Sequence, residues 1–254
     1  MWTFTHFITL IPSLIVYVFI ALGVGKWLRN KDEKIRLIPI HIITGLIIVL
    51  EIIKQVRSVV IGYDLADLPF YYCSLFLYLY PVVSLYQGKH KDTFRMLTFL
   101  SGFTMFAVLM VMPDMIYVEG NIIDFFINFD NFHTVVFHNL VVLGTMLLLT
   151  LQLIKIDFKR DLIAGIIFYS AYCVIAAPIA ILLGQNYNKF NTNPVAFVEN
   201  IRLALINSFG YHIGQSGYVL LALITTVGFS LIMYLFFVMI VKLVKNTQHK
   251  KNNN

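Results

Sequence analysis

The chain has 254 residues, 59% of them hydrophobic and only 13% charged, with a formal net charge of +6. Its mean hydropathy is +0.81. A soluble domain carries about a quarter charged residues, so this composition excludes a water-facing exterior and makes lipid the solvent. The basic residues lie in short loops between apolar runs. That pattern excludes nucleic acid as the partner and reads as a membrane-orientation signal.

Seven apolar segments follow in chain order, and only helices close so many backbone hydrogen bonds within lipid. The expected fold is all-α, a polytopic membrane helix bundle of about seven transmembrane helices. A single transmembrane domain is expected over residues 1–246, followed by a disordered tail, Thr247–Asn254, rich in Lys and Asn. The first span runs Phe7–Leu28. The first Lys is Lys26, beyond this run, so it reads as a retained helix and not as a cleaved leader.

The second span, Ile35–Ile61, carries His41, Thr44, Glu51, Lys54, Gln55 and Ser58. At 100° per residue Thr44, Glu51, Gln55 and Ser58 fall on one stripe bordered by Lys54. Such a stripe does not face acyl chains. It is either a seam holding helices together or the wall of a polar cavity, and Glu51 and Lys54 are spaced to pair on the helix surface.

The third span, Leu68–Tyr86, opens Leu68-Pro69-Phe70-Tyr71-Tyr72-Cys73-Ser74-Leu75. Cys73 then lies ~7 Å inside the membrane edge and Gln55 at about the same depth, with Glu51 at ~14 Å. A lone Cys in a span is ordinarily a small hydrophobe. The second cysteine, Cys173, is expected in another helix and unpaired with it.

The fourth span is Phe94–Met112. The acidic loop Pro113–Asn131, with Asp114, Glu119, Asp124 and Asp130, contains no Lys or Arg. The fifth span, Phe132–Ile154, follows an Asp130 or Asn131 cap. Its His133 and His138 are about 140° apart, so they point to different faces and lack the i, i+4 spacing of a helical zinc pair. No metal site is expected. His138 on its own reads as a hydrogen-bonded residue between helices. The sixth span is Leu162–Leu183. After it comes the amide-rich loop Gly184–Pro194, whose Asn186 and Tyr187 suit an ordinary loop or a polar head group. A short interfacial helix is expected at Ala196–Ser208, and the seventh span at Gly217–Val244.

Charge orients the bundle. The first, third and fifth loops hold Lys26, Arg29, Lys31, Lys34 and Arg36, then Lys89, Lys91 and Arg95, then Lys155, Lys159 and Arg160. The C-terminal region adds Lys242, Lys245, Lys250 and Lys251. This alternation sets the N-terminus outside and the C-terminus in the cytoplasm. Cys73, Glu51, His133, His138, Asp114 and the Asn186 loop then all fall toward the outer face, as an outward-facing polar cavity requires.

The Leu68–Leu75 entry, the Phe137-His138 pair and the loop with Gly184, Asn186, Tyr187 and Pro194 resemble the bacterial YwaF-like integral membrane family. Its third-span entry is Leu-Pro-Leu-His-Leu-Cys. That family is distantly similar to a eukaryotic multi-spanning ether-phospholipid acyltransferase. The resemblance implies a multi-pass protein of the bacterial plasma membrane. It also implies Cys73 as nucleophile or acyl carrier, His138 as its base and a membrane phospholipid as substrate. Tyr71 stands where the family often has His, so that residue's role is altered here. An adjacent His activates a thiol of ordinary pKa, with Glu51 or Asp114 orienting the ring. Glu51, Lys54, Gln55, Tyr71, Asp114, His133, Asn186 and Tyr187 are the candidate cavity residues. No cofactor is needed when the donor is a phospholipid. The function expected is a membrane acyltransferase or lipid-remodelling enzyme. The rival expectations are a permease for a small molecule or lipid, served by the polar stripe and by Pro81 and Pro178, and a non-catalytic scaffold.

Overall fold

A computed structural model describes residues 2–193 and 195–252, with side chains as far as Val244. Pro194, the side chains of Lys245, Lys250 and Lys251, and the last residues of the expected tail lie outside what is described. The protein is all-helical, with 82% of its residues in helix and no strand among the described residues. Among the described residues six helices are long and apolar enough to cross a membrane, and Tyr72–Leu85 is a shorter apolar helix.

The chain divides into two compact units, Met1–Lys155 and Ile156–Asn254. The first holds α1 (Phe4–Leu28), α2 (Glu33–Arg36), α3 (Ile38–Ile61), α4 (Leu75–Leu85), α5 (Lys91–Val111), α6 (Glu119–Ile123) and α7 (Phe129–Thr150). Local chemistry sets the helix starts. Thr3 caps α1 by accepting from the His6 N–H, and the Thr3 N–H is returned to His6 Nδ1, a reciprocal box that satisfies two orphan donors. Asn128 caps α7 by accepting from the Asp130 N–H at 2.9 Å. The cap is therefore neither of the two residues expected, and α7 starts a turn earlier. Helix α7 packs against α1, α3, α5 and α6, while α3 packs on α4 and α4 on α5. The core between these helices includes Ile40, Ile47, Phe76, Tyr80, Val141 and Leu148, all fully buried. Gly102 of α5 lies so close to Thr145 of α7 that a Cβ would collide with the threonine hydroxyl. Small residues set such close crossings in membrane helices.

The third span is shorter than the Leu68–Tyr86 expected. A residue before proline is pushed out of the α region, and Leu68 is extended at φ −61°, ψ 140°. Helical backbone begins only with the 3₁₀ turn Tyr72–Ser74, and α4 then runs 11 residues. Cys73 thus sits in a helical entry turn.

The second unit holds α8 (Phe158–Leu182) and α9 (Ala196–Asn252), which pack on one another. Asp157 caps α8, accepting from the Arg160 N–H at 3.1 Å. Helix α9 is broken at Gly210, whose φ of 77° and ψ of 165° suit glycine. The break separates a helix over 196–209, close to the Ala196–Ser208 expected, from the long apolar stretch that contains the seventh span. Helical backbone continues to Asn252, through most of the segment expected to be tail.

Candidate functional site

The polar stripe of α3 faces protein. Ser58 and Thr44 are buried and Glu51 and Gln55 half-buried, while Ile52, Ile53, Val56 and Val59 on the same helix are exposed. The stripe meets the entry loop of the third span. Gln55 Nε2 donates to Glu51 Oε1 at 2.7 Å and to the Asp67 carbonyl at 2.8 Å. The Ser58 hydroxyl donates to Asp67 Oδ2 at 2.6 Å, and Lys54 Nζ lies 3.2 Å from Asp67 Oδ1. Lys54 therefore pairs with Asp67 and not with Glu51. Burial opposes ionisation of Asp67, yet the Ser58 hydroxyl and the Lys54 ammonium hold its carboxyl below the ordinary value.

Glu51 turns its other oxygen to α7. Its Oε2 is 3.3 Å from His133 Nε2, and the ring stacks on Phe137. His133 Nε2 makes no directed hydrogen bond among the described residues. Cys73 lies in the 3₁₀ entry turn that leads into α4. The Thr44 hydroxyl reaches the Tyr80 carbonyl at 3.4 Å, joining α3 to α4. These helices are linked by a short connection and run antiparallel. Cys73 is half-buried and a free thiol, with the Lys54 charge within electrostatic range.

His138 is buried, and its Nδ1 lies 2.7 Å from the Thr134 carbonyl. A carbonyl only accepts, so Nδ1 carries the proton and the neutral ring keeps its lone pair on Nε2. The edge of Tyr117 packs against the ring at 5.7 Å. His138 shares a stripe with Thr145, which faces α5. It lies one turn from Val141, whose carbonyl accepts the Tyr80 hydroxyl at 3.0 Å. Among the described residues no hydrogen bond or ion pair joins Cys73 to His138, and the carboxylate beside a histidine on α7 is Glu51 at His133. Asp114, exposed, lies 3.6 Å from the buried His6, a pairing the sequence reading missed along with Asp67. Tyr71 is half-buried and precedes the entry turn. Among the described residues no three His, Cys, Asp or Glu side chains gather as metal ligands.

Asn186 and Tyr187 belong to the second unit. Asn186 Oδ1 accepts from the Asn191 and Thr192 N–H groups at 3.1 and 3.0 Å, and its Nδ2 donates to the Thr192 hydroxyl at 2.9 Å. Tyr187 is fully buried. Gln215 Nε2 donates to the Phe190 carbonyl at 2.6 Å and Arg202 Nη1 to Gln215 Oε1 at 3.1 Å. The amides of this loop are spent within the second unit, on the loop's own groups as in Asn-rich turns and on the Tyr172 and Tyr218 hydroxyls.

Neither curated proteins nor solved structures yield a match to this chain. Among protein families, residues 1–234 match the TMEM164 family from the first span into the last. That match spans both units and every candidate residue above, and the chain belongs to the TMEM164 family, a family of membrane proteins.

Proposed function

We propose that this protein is a membrane acyltransferase that remodels phospholipids, with Cys73 as acyl carrier and His138 as its base. It acts as a multi-pass protein of the bacterial plasma membrane, with the N-terminus outside and the site open to the outer leaflet. Family membership gives the class, a multi-spanning membrane protein, and assigns no reaction. The observation that carries the reading is the polar stripe of α3, whose Lys54, Gln55 and Ser58 hold Asp67 in the loop that leads to Cys73. A half-buried carboxylate, two histidines and a thiol among apolar spans cost stability in lipid, and chemistry accounts for their presence.

The Cys73 thiol attacks the ester carbonyl of a donor phospholipid while its proton passes to His138 Nε2. Collapse of the tetrahedral intermediate breaks the ester C–O bond. The leaving lysolipid oxygen takes the proton back, and Sγ holds the acyl group as a thioester. The hydroxyl of a second lysolipid then attacks the thioester, losing its proton to His138, and the thiol is restored. Glu51, His133 and Lys54 supply polar side chains near the site.

The test is purified full-length protein incubated with acyl-labelled phospholipid, followed by denaturation and hydroxylamine. Wild type forms an adduct that hydroxylamine releases, and Cys73→Ala forms none. His138→Gln slows adduct formation by roughly 10²–10⁴-fold, the range for loss of a general base. Glu51→Gln has a smaller effect. An adduct undiminished in Cys73→Ala overturns the assignment of the carrier.

A further inference from the structure

A cavity that Cys73 does not line lies between α1 and α7. It has a volume of about 430 Å³, within the range of small-ligand sites. Thr9, Ser13 and Tyr17 form one wall, Asn139 stands on the other, and Phe125 and Phe126 lie at one end. The rest of the lining is aliphatic, and no charged residue lines it. Phe126 is 93% exposed, so this end is not sealed.

Most of the polar wall is already satisfied. The Thr9 hydroxyl donates to the Thr5 carbonyl at 2.7 Å and the Ser13 hydroxyl to the Thr9 carbonyl at 2.8 Å. Asn139 differs. Its Oδ1 accepts the Tyr117 hydroxyl at 3.1 Å, and its Nδ2 donates to nothing among the described residues. Two N–H donors are left on the wall of a groove between two membrane-crossing helices. Asn139 is ten residues into α7, ~15 Å along the axis, near the middle of a hydrocarbon core ~30 Å thick. Unmet donors at that depth are costly.

We infer that this groove binds a neutral glyceride, with an ester carbonyl accepting from Asn139 Nδ2 and an acyl chain laid along α1. The occupant is uncharged because the lining offers no counter-charge to a phosphate, whose desolvation would go uncompensated. A phospholipid also keeps its phosphate at the membrane surface, so its esters stay well above Asn139, whereas a glyceride without a charged head group can sink to that level. The site does not depend on a thioester at Cys73.

Full-length protein in nanodiscs is irradiated with a diacylglycerol bearing an acyl-chain diazirine, or with a phosphatidylglycerol bearing the same chain, and the labelled peptides are mapped. The diacylglycerol labels the segments 122–126 and 135–143 more strongly than the phospholipid does. Asn139→Leu lowers that labelling by about 5-fold, which is ~1 kcal/mol for one neutral hydrogen bond. Val136→Trp, which fills the groove and keeps the Tyr117–Asn139 bond, also lowers it, and decides the matter should Asn139→Leu fail to fold. Cys73→Ala leaves the labelling unchanged. Equal or stronger labelling of these segments by phosphatidylglycerol overturns the inference, as does labelling unaltered by Val136→Trp.

Discussion

Replacing Glu33 by Gln tests the ion network at the opposite end of the first unit from Cys73. Glu33 Oε1 accepts from Lys91 Nζ at 2.6 Å and from Arg95 Nη2 at 3.0 Å. Arg95 Nη2 also donates to Gln87 Oε1 at 3.0 Å, and the Arg95 side chain is 1% exposed. One carboxylate thus joins α2 to α5, and Arg95 extends the link to the end of α4. At ~3 Å and an effective dielectric constant near 20 the Glu33–Arg95 attraction is roughly 5 kcal/mol. Much of this offsets desolvation of the guanidinium, but removing one partner of a buried pair still costs about 3–5 kcal/mol. Gln keeps an acceptor oxygen, so a loss of about 2–3 kcal/mol is expected, or about 5–10 °C in Tm for a chain of this size. Hydrogen bonds from Arg95, then Lys91, hold the Glu33 carboxyl down to about 2. A carboxyl with a depressed folded-state pKa contributes stability that is present above its ordinary value of ~4.3 and is lost as pH falls through the folded value. Thermal unfolding of both proteins in detergent from pH 7 to pH 2 should show a constant gap down to about pH 5, narrowing below pH 4 and nearly closed near pH 2. A gap under ~1 kcal/mol at pH 7, or one unchanged at pH 3, refutes the argument.

Two further substitutions probe packing and the amide-rich loop. Gly102→Ala drives a methyl group into the Thr145 hydroxyl and should cost about 1–3 kcal/mol. Thr145→Ala in the same chain should recover most of the loss, read as a coupling energy in a double-mutant cycle. Asn186→Ala removes three half-exposed hydrogen bonds within its loop and should lower stability by about 1–2 kcal/mol while leaving the KM for lipid substrate unchanged. A raised KM with unaltered stability would instead make Asn186 a head-group ligand.

Apolar runs locate the long helices because lipid demands continuous helix from each of them. The sequence reading was weakest where a run contained a backbone constraint. Leu68–Tyr71 is as apolar as the span that follows, but Pro69 keeps Leu68 extended and delays the helix to Tyr72. Stripe geometry correctly turned Thr44, Glu51, Gln55 and Ser58 away from lipid, since 100° per residue holds within one helix. It did not reveal their partners. Spacing on α3 suggested a Glu51–Lys54 pair, whereas the loop after α3 brings Asp67 to Lys54, and α7 brings His133 to Glu51 from 82 positions away. The Asn186 loop shows the same limit. Amides that suit a ligand in isolation suit the loop's own N–H groups equally well.

Five residues apart on α7, His133 turns to Glu51 on α3 while His138 turns toward α5, and Asn139, one residue on, turns to the groove against α1. Three faces of one helix therefore serve three different neighbours. Tyr117 spans two of them, packing its ring against His138 and donating its hydroxyl to Asn139. If lipid in the groove influences proton transfer at His138, Tyr117 is the shortest route through packed side chains. Tyr117→Phe keeps the ring and removes the hydroxyl, so it should uncouple Asn139 from His138 without emptying the core. Combined with Asn139→Leu, it should then give an effect on acyl transfer no larger than either change alone. Additive effects would instead mark two independent sites on one helix.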